Sequence, residues 1–176
     1  TQYHGSALLG TQALSSDLDE IKSFLDANSN EIVTLILECN VSADDIESEL
    51  INTGLMPYVY THPDGAAWPT LQEMINLNKR LVVFSDVADA SASQAWYHYV
   101  WDFAVETHYS VNDVNDFTDD YNRGDSLNDL YIFNHFVTSG LTGTGMDAES
   151  AIANEYNFLL NRIELNHLLK GKFPNF

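Results

Sequence analysis

The sequence predicts an α/β fold built on a parallel sheet or barrel, and two short apolar runs support that prediction. EIVTLILECN (residues 31–40) and RLVVFS (residues 80–85) each follow a segment with helical spacing of apolar residues. Strands this apolar, with helices on both sides in the chain, are typical of parallel sheets covered on both faces. Glu38 and Asp86 close the two runs, at the strand ends where parallel α/β folds bind ligands.

The first helix and the first strand form one helix–loop–strand unit. Apolar residues at spacings of four, three and four give the helix one apolar face: Leu14, Leu18, Ile21 and Leu25. A second helix follows the 31–40 run, because Ser42 can cap its start with Asp45 in the third position. Gly54 is well placed to end this helix, and residues 56–61 are expected to be extended.

A third helix precedes the second strand. Thr70 and Glu73 form a capping pair at its start, and three apolar residues are expected to face inward: Leu71, Met74 and Ile75. The run RLVVFS then forms a buried strand that ends at Asp86. This order repeats the helix–strand logic of the first unit.

The second half of the chain is less regular. An aromatic stretch predicts a short helix and then a strand around residues 104–108, and residues 112–129 form a polar loop with one helical turn. LYIFNHFV (residues 130–137) is a third strand, and residues 147–169 form the longest helix. The chain then runs to FPNF, where another strand is expected.

Composition limits the classes of partner. The 26 acidic residues outnumber the 7 Lys and Arg residues and give a net charge of −19, so nucleic acid should be repelled. Strongly anionic membranes should be repelled as well, which leaves at most peripheral membrane contact. Cys39 is the only cysteine, so an internal disulfide and a cysteine-based metal cluster are excluded. The oligomeric state stays open.

The length of 176 residues suits a single domain, which we assign to residues 1–176. The predicted series of strands and helices begins within a strand and ends before a further strand is completed. A barrel of eight βα units typically needs about 250 residues. We therefore expect a TIM-barrel-like domain that is incomplete at both ends. Because the chain starts at Thr1, we expect a processed or partial chain. The compartment stays open, although we favour the extracellular space or secretory pathway.

Four segments carry a family resemblance: TQYHG, NEIVTLILE, WPTLQEMINLNKRLVVFSD and IFNHFVT. In this order they resemble the phosphatidylinositol-specific phospholipase C X-domain-like phosphodiesterases, most closely their divergent branch in fungi and other eukaryotes. The resemblance implies a distorted TIM barrel, of which this chain spans about strand 3 to the helix before strand 8. It also implies cleavage of phosphodiesters by two histidines, the first of which would lie before Thr1.

The resemblance assigns two residues to this chemistry. His4 matches the second histidine, at the end of the third strand, and would be the general acid. Glu38 matches a fourth-strand position that supplies a calcium ligand in calcium-dependent members, so Ca²⁺ is a candidate cofactor, and the absence of a cofactor is the alternative. Calcium needs several oxygen ligands, and only Asn40 and Asp86 lie near strand ends beside it. The alternative is that Glu38 caps its strand or pairs with Arg80.

Two further residues are candidates for substrate binding. Asp86 and His135 lie at or near the ends of predicted strands, where pocket residues belong. His135 shares a strand face with Tyr131 and Phe133, so a buried histidine with satisfied hydrogen bonds is the alternative. A metal site is a further hypothesis if the aromatic stretch is helical, since a spacing of four would align three side chains: His98, Asp102 and Glu106.

The expected function is that of a phospholipase C-type phosphoric diester hydrolase that acts on a glycerophospholipid or related phosphodiester. Such cleavage needs a base to take a proton from the attacking hydroxyl and an acid to protonate the departing alkoxide. Histidine can do either near neutral pH. The alternative is a catalytically inactive barrel that acts as a binding or surface protein. The substrate would be a phospholipid or a soluble phosphodiester.

Overall fold

The computed structural model describes residues 11–38, 41–88, 94–138 and 147–176. They belong to two compact units, Thr1–Val100 and Trp101–Phe176. Within the described ranges, no helix is long and apolar enough to cross a membrane. The assignment of residues 1–176 to one barrel domain stays a prediction.

The first unit contains a three-stranded parallel sheet formed, in this order, by β1 (Val33–Leu37), β2 (Leu81–Ser85) and β3 (Tyr97–Tyr99). Leu37 pairs with Ser85, and Phe84 pairs with His98, so the carboxyl ends of β1 and β2 lie at the same edge. The elements are α1 (Leu14–Ala27), β1 (Val33–Leu37), α2 (Ala43–Asn52), a 3-10 turn (Met56–Tyr58), α3 (Leu71–Asn76), β2 (Leu81–Ser85) and β3 (Tyr97–Tyr99). The parallel sheet confirms the α/β class that the two apolar runs predict.

The core of this unit lies between one face of the sheet and the first two helices. Leu18 and Leu25 of α1 are buried there beside Val83 of β2, which confirms the predicted helix face. All five residues of β2 are buried. β1 is only partly covered, and Ile36 keeps 36% of its surface exposed. The expected burial of β1 on both faces is therefore wrong, because among the described strands it forms the edge of the sheet.

Both predicted helix caps are present. Ser42 Oγ accepts a hydrogen bond from the Asp45 backbone N–H at 3.2 Å. Thr70 Oγ1 accepts from the Glu73 N–H, while Glu73 Oε2 accepts from the Thr70 N–H at 2.8 Å, which completes a capping box. Met74 is buried as predicted, but Leu71 is 67% exposed, so its inward placement is wrong. A helix of only six residues can bury only a narrow face.

Residues 56–61 depart from the expected extended run. Met56–Tyr58 forms a 3-10 turn, with Pro57 near its start. Proline fixes φ near the helical value and lacks the N–H that the first turn leaves unused, so it favours this turn. Val59 then makes an isolated parallel bridge to Leu81.

The second unit contains a mixed three-stranded sheet in the order β5-β4-β6. β4 is parallel to β6 and antiparallel to β5. The elements are β4 (Ala104–Thr107), a 3-10 turn (Val114–Asp116), β5 (Tyr121–Arg123), β6 (Leu130–Ile132), α4 (Asp147–Ala153) and α5 (Tyr156–Lys170). Another 3-10 turn, Val100–Asp102, spans the boundary between the units. The strand near 104–108 and the helical turn in 112–129 are confirmed, whereas β5 was not predicted.

Two boundaries in the second unit differ from the prediction. The strand expected over 130–137 ends at Ile132, and the helix expected over 147–169 is broken after Ala153. Glu155 causes the second difference, because its side chain accepts a hydrogen bond from the Phe158 N–H at 2.9 Å and starts a new helix. Across the described residues, the strands form two three-stranded sheets and no closed barrel.

Backbone hydrogen bonds pair the last residues with β6. The Phe133 N–H donates to the Phe176 carbonyl at 2.9 Å, and the Asn175 N–H donates to the Tyr131 carbonyl at 2.9 Å. The side chains of Tyr131 and Phe133 pack with Val105 and with Ile163 of α5. The FPNF segment therefore lies beside β6 without forming a regular strand, and the strand expected after it stays a prediction.

Candidate functional site

Glu38 and Asp86 follow neighbouring parallel strands at one edge of the first sheet. Leu37 pairs with Ser85, and the Asp86 N–H donates to the Leu37 carbonyl at 3.1 Å, so the register continues to the two carboxylates. Glu38 is exposed, and Asp86 is partly buried. One oxygen, Asp86 Oδ1, is fully buried and has no hydrogen-bond partner among the described residues. A buried carboxylate oxygen is costly without a partner, so this atom suits a ligand donor or a cation.

Arg80 does not pair with Glu38. Its guanidinium donates to the carbonyl oxygens of Leu25, Asn28 and Glu31 at 2.9–3.2 Å, next to the end of α1. Arg80 precedes the amino end of β2, whereas Glu38 follows the carboxyl end of β1. Five strand residues separate these ends, or about 16 Å. The alternative that Glu38 is neutralised by Arg80 is therefore wrong.

The calcium hypothesis can be tested against the described side chains. Calcium takes six to eight oxygen ligands, and Glu38 and Asp86 can offer a carboxylate pair. In the described ranges, no group of three or more His, Cys, Asp and Glu side chains is arranged to hold a metal ion. The described residues therefore do not complete a calcium site, and Asn40, the third predicted neighbour, lies outside them.

His4, the predicted general acid, also lies outside the described residues. Its catalytic role stays a prediction that rests on the TQYHG motif. Cys39, which follows Glu38, lies outside the described residues as well.

His135 lies in the second unit, with both ring nitrogens engaged. Nε2 lies 2.7 Å from the Ala153 carbonyl oxygen, and Nδ1 lies 2.6 Å from Nη1 of Arg162. The ring stacks on Phe117 at 4.9 Å. Burial lowers the pKa of His135 below its ordinary value, and the charge of Arg162 lowers it further. These contacts agree with the satisfied histidine that sequence analysis left open, and the substrate-binding role stays a prediction.

The helical metal site is not formed. His98 lies in β3, Asp102 in a 3-10 turn and Glu106 in β4, so no helix face aligns the three side chains. His98 belongs instead to an aromatic cluster in which its Nε2 accepts a hydrogen bond from the His62 N–H at 3.4 Å. Burial lowers the pKa of His98, and the neighbouring His62 lowers it further. The His62 ring stacks on Trp68 at 4.2 Å.

A second polar cluster lies at the carboxyl end of β4 and was not predicted. Its centre is the Glu106 carboxylate, which is only 3% exposed. Side-chain donors from three residues reach it: Asn122 at 3.0 Å, Arg123 Nε at 2.5 Å and Asn134 at 3.1 Å. β4 and β6 are parallel, so Asn134 beyond β6 meets Glu106 at the same sheet edge.

Arg123 is held in this cluster by aromatic rings as well. Its guanidinium carbon lies 4.2 Å from the Trp101 ring centroid and 4.8 Å from that of Tyr109. The Arg123 side chain nevertheless keeps 37% of its surface exposed. One sequence signal could have indicated this cluster, since Glu106 is a charged residue in a strand whose four residues are all buried. Such a residue needs partners, and the sequence does not show which distant residues supply them.

The Glu106 cluster faces away from the helix that packs on this sheet. Val105 and Tyr131 belong to the core that contains Ile163 of α5. Side chains alternate along a strand, so Glu106, the neighbour of Val105, faces the opposite side. The first sheet has the same arrangement. Val83 and Tyr97 lie on the face that packs with the helices, and their chain neighbours Phe84 and His98 lie on the other face.

An α/β protein with polar clusters at the carboxyl edges of its parallel strands fits the class of ligand-binding α/β folds. A family model described as PI-PLC X 1 matches residues 4–169, and the chain belongs to this family. Its sequence is 32% identical over 123 residues to a PI-PLC X domain-containing protein of the fungus Arthroderma benhamiae, which covers 64% of this chain and 39% of that protein. The family resemblance found in the four sequence segments is thereby confirmed.

Two further relatives extend the comparison. A PI-PLC X domain-containing protein of Arabidopsis thaliana is 37% identical over 94 residues, covering 51% of this chain and 22% of that protein. An uncharacterized secreted protein of Arthroderma benhamiae is 28% identical and covers 90% of this chain and 36% of that protein. The matched regions thus span about a fifth to two fifths of these relatives. No solved structure matches the chain significantly.

Proposed function

We propose that the chain belongs to a phosphoric diester hydrolase of the phospholipase C type, which cleaves a glycerophospholipid or a related phosphodiester. The supporting observation is membership of the PI-PLC X family over residues 4–169, a range that includes both His4 and Glu38. The parallel β1-β2-β3 sheet, with α1 and α2 packed on one face, is consistent with part of a TIM-barrel-like domain.

The proposed reaction assigns one proton transfer to this chain. A hydroxyl next to the scissile phosphodiester attacks phosphorus, a base takes its proton, and the bond to the leaving oxygen breaks. His4 gives its proton to that departing alkoxide. The first histidine of the family pair, which would act as the base, is expected before Thr1.

We propose Glu38 as the calcium ligand, with Asp86 beside it for a second oxygen or a substrate hydroxyl. The unpartnered Oδ1 of Asp86 supports this pairing. A bound calcium ion would balance charge on the phosphoryl oxygens, although the described side chains do not complete its coordination. The proposed acid step therefore depends on His4 and not on the ion.

The surface charge bears on the substrate. A net charge of −19 disfavours docking on strongly anionic lipids. A soluble diester or a zwitterionic lipid is accordingly the proposed substrate class. The name of the secreted fungal relative supports an extracellular or secretory location as part of the same proposal.

The experiment is the substitution His4→Ala in the full-length protein, with cleavage of glycerophosphocholine and of micellar lysophosphatidylcholine as the assay. Both substrates have the free hydroxyl next to the phosphodiester that the proposed attack needs. We expect turnover to fall about 10²- to 10⁴-fold, the usual contribution of a general acid. His167→Ala is the matched control, because His167 stacks on Phe173 and belongs to the helical layer of the second unit. Unchanged turnover in His4→Ala would rule out the role assigned to His4. A wild-type protein that binds these ligands without cleaving them would favour the inactive binding barrel.

Calcium binding has its own readout. Isothermal titration of calcium into the full-length protein should give an affinity that Glu38→Gln and Asp86→Asn each weaken. Glu31→Gln is the control, because Glu31 is exposed and precedes the opposite end of β1. Equal calcium affinity in all variants would exclude Glu38 as a ligand.

A further inference from the structure

We propose that the segment Tyr60–Trp68, which we call the strap, is a cover of the first sheet that acid releases, with His98 as the group that releases it. The strap connects the 3-10 turn at Met56–Tyr58 with α3 and contains no helix or strand. The contacts that support this role lie within the first unit and are independent of the proposed hydrolase activity.

The strap packs on the face of the first sheet opposite the helices. Phe84 of β2 and His98 of β3 lie on this face. The Trp68 ring centroid lies 5.9 Å from that of Phe84 and 6.3 Å from that of His98. The His62 ring stacks on Trp68 at 4.2 Å. The strap therefore covers β2 and β3 on this side.

A side chain of the sheet binds the backbone of the strap. His98 Nε2 accepts a hydrogen bond from the His62 backbone N–H at 3.4 Å. At the start of the strap, the Tyr60 N–H donates to the Leu81 carbonyl at 2.8 Å, and at its far end the capping box fixes the start of α3. Residues 63–67 are exposed. The middle of the strap is thus held by side-chain contacts, and the bond to His98 is one of them.

The bond between the strap and His98 requires a neutral imidazole. A protonated histidine carries N–H groups on both ring nitrogens and has no acceptor. Protonation of His98 would therefore turn its bond with the His62 N–H into a contact between two donors. The new charge would also lie in a buried aromatic cluster, with the His62 ring 6.3 Å away. Both effects favour a state in which the strap has moved away and water reaches His98.

The groups around His98 favour its neutral form in the closed state. Burial lowers the pKa of His98 below its ordinary value of 6.5, and the neighbouring His62 lowers it further. A hydrogen bond with the Tyr60 backbone and the charge of Asp64 act in the opposite direction without reversing the shift. The closed strap and the protonated ring therefore oppose each other.

The elements packed beside the strap contribute other groups. β2 faces His98 with the uncharged ring of Phe84, whose centroid lies 5.9 Å away. Burial raises the pKa of the Tyr60 hydroxyl, and the charge of Glu73 on α3 raises it further, so Tyr60 stays neutral in acid. Histidines are therefore the groups of this cluster that suit a response to mild acid.

The pKa shift fixes the direction of the response. When the strap opens, the His98 ring meets water and its pKa returns toward 6.5. The open state then binds a proton in a pH range in which the closed state does not. Closure is fully favoured above 6.5 and weakens as the pH falls toward the closed-state pKa. Opening should increase by up to about tenfold for each pH unit in this range.

Amide exchange measures this opening without a ligand or turnover. NMR gives the protection factor of the His62 N–H in the full-length protein at several pH values between 7 and 5, with the intrinsic pH dependence of exchange divided out. We expect protection to fall by up to about tenfold per pH unit below 6.5. The amide oxygen of His98→Gln can still accept the bond but does not titrate. In that variant the protection should not depend on pH.

His108→Gln is the matched control, because His108 is exposed and lies outside the cluster. It should keep the fall seen in the wild type. Equal protection of the His62 N–H at pH 7 and pH 5 in the wild type would overturn the inference. An undiminished fall in His98→Gln would overturn it as well. If His98→Gln does not fold, the wild-type titration decides the test.

Urea separates release of the strap from unfolding of the whole unit. Opening of a short segment exposes little surface, so low urea concentrations should leave exchange of the His62 N–H unchanged at pH 5. The same urea should speed exchange of the Val83 N–H in β2, whose residues are all buried. If both amides respond to urea alike, His98 acts only on global stability and the strap is not a separate switch.

Discussion

Arg162 donates a hydrogen bond to His135, with Nη1 2.6 Å from Nδ1. Arginine has no acceptor, so Nδ1 must accept, and the ring proton then lies on Nε2. Nε2 donates in turn to the Ala153 carbonyl at the end of α4. The neutral ring of His135 thus connects the segment after β6 with α4 and α5.

We expect Arg162→Met to destabilise the protein by about 2–4 kcal/mol, because it removes the donor to His135 and leaves the partly buried carboxylate of Asp119 without its ion-pair partner. The free energy of unfolding from urea titration measures the effect. Lys170→Met removes the same charge from the same helix, where Lys170 lies over Tyr121. An effect of Arg162→Met no larger than that of Lys170→Met would contradict this account.

Stability should fall as the pH drops below 6.5. Burial lowers the pKa of both His98 and His135 from the ordinary value of 6.5. The unfolded chain therefore binds protons in a pH range in which the folded protein does not. This stability is fully present above 6.5 and is lost as the pH falls toward the folded-state pKa values. Urea titrations at several pH values between 7 and 5 measure the slope.

Single substitutions test which histidines cause that slope. His98→Gln and His135→Gln should each flatten the dependence of unfolding free energy on pH in this range. His108→Gln serves as the control, because His108 is exposed and its Nδ1 accepts only a local backbone hydrogen bond from Ser110. A slope unaffected by all three variants would mean that other groups set the acid sensitivity.

Arg80→Lys should lower the free energy of unfolding by about 2–4 kcal/mol. The planar guanidinium of Arg80 donates to three carbonyl oxygens and to Asn78, and the compact ammonium of a lysine cannot reach all four acceptors. Arg80 is only 3% exposed, so solvent cannot replace the lost donors. Lys79→Gln removes a neighbouring cation that donates a hydrogen bond to the Pro57 carbonyl. It should lower the free energy of unfolding much less than Arg80→Lys does. Equal losses for the two variants would argue against a special role for Arg80.

Gly124→Ala should destabilise the second unit far more than Gly171→Ala. Both glycines have positive φ, at 81° and 73°, so each alanine pays about 1 kcal/mol for the left-handed conformation. A Cβ at Gly124 would also lie 1.9 Å from the Ala104 carbonyl oxygen, whereas nothing lies within 4 Å at Gly171. We expect a total loss above about 3 kcal/mol at Gly124, measured by thermal unfolding. Similar melting temperatures for the two variants would show that β4 and β5 can move apart to fit the Gly124→Ala side chain without loss of stability.

Local signals in the sequence predicted much of the first unit. The spacing of Leu18 and Leu25 gave the face of α1, and Thr70 with Glu73 gave the start of α3, because both patterns act within one or two helical turns. The ends of the two apolar runs also placed Glu38 and Asp86 at one sheet edge.

Contacts between distant residues could not be predicted in this way. His135 and Arg162 are 27 residues apart, and Arg123 meets Glu106 across 17 residues. β5 is only three residues long and mostly polar, so it carries no apolar alternation. The break before α5 depends on a glutamate cap within a continuous helical pattern. The Glu106 cluster therefore emerged only from the structure.

Arg80 has a consequence for how the first unit opens. One side chain at the start of β2 binds carbonyls of Leu25 and Asn28 at the end of α1, more than 50 residues earlier in the chain. Fraying of the last turn of α1 would release Arg80 from its buried position, and separation of β2 would expose those carbonyls. Backbone amides of both elements should therefore exchange with solvent deuterium through one shared opening event.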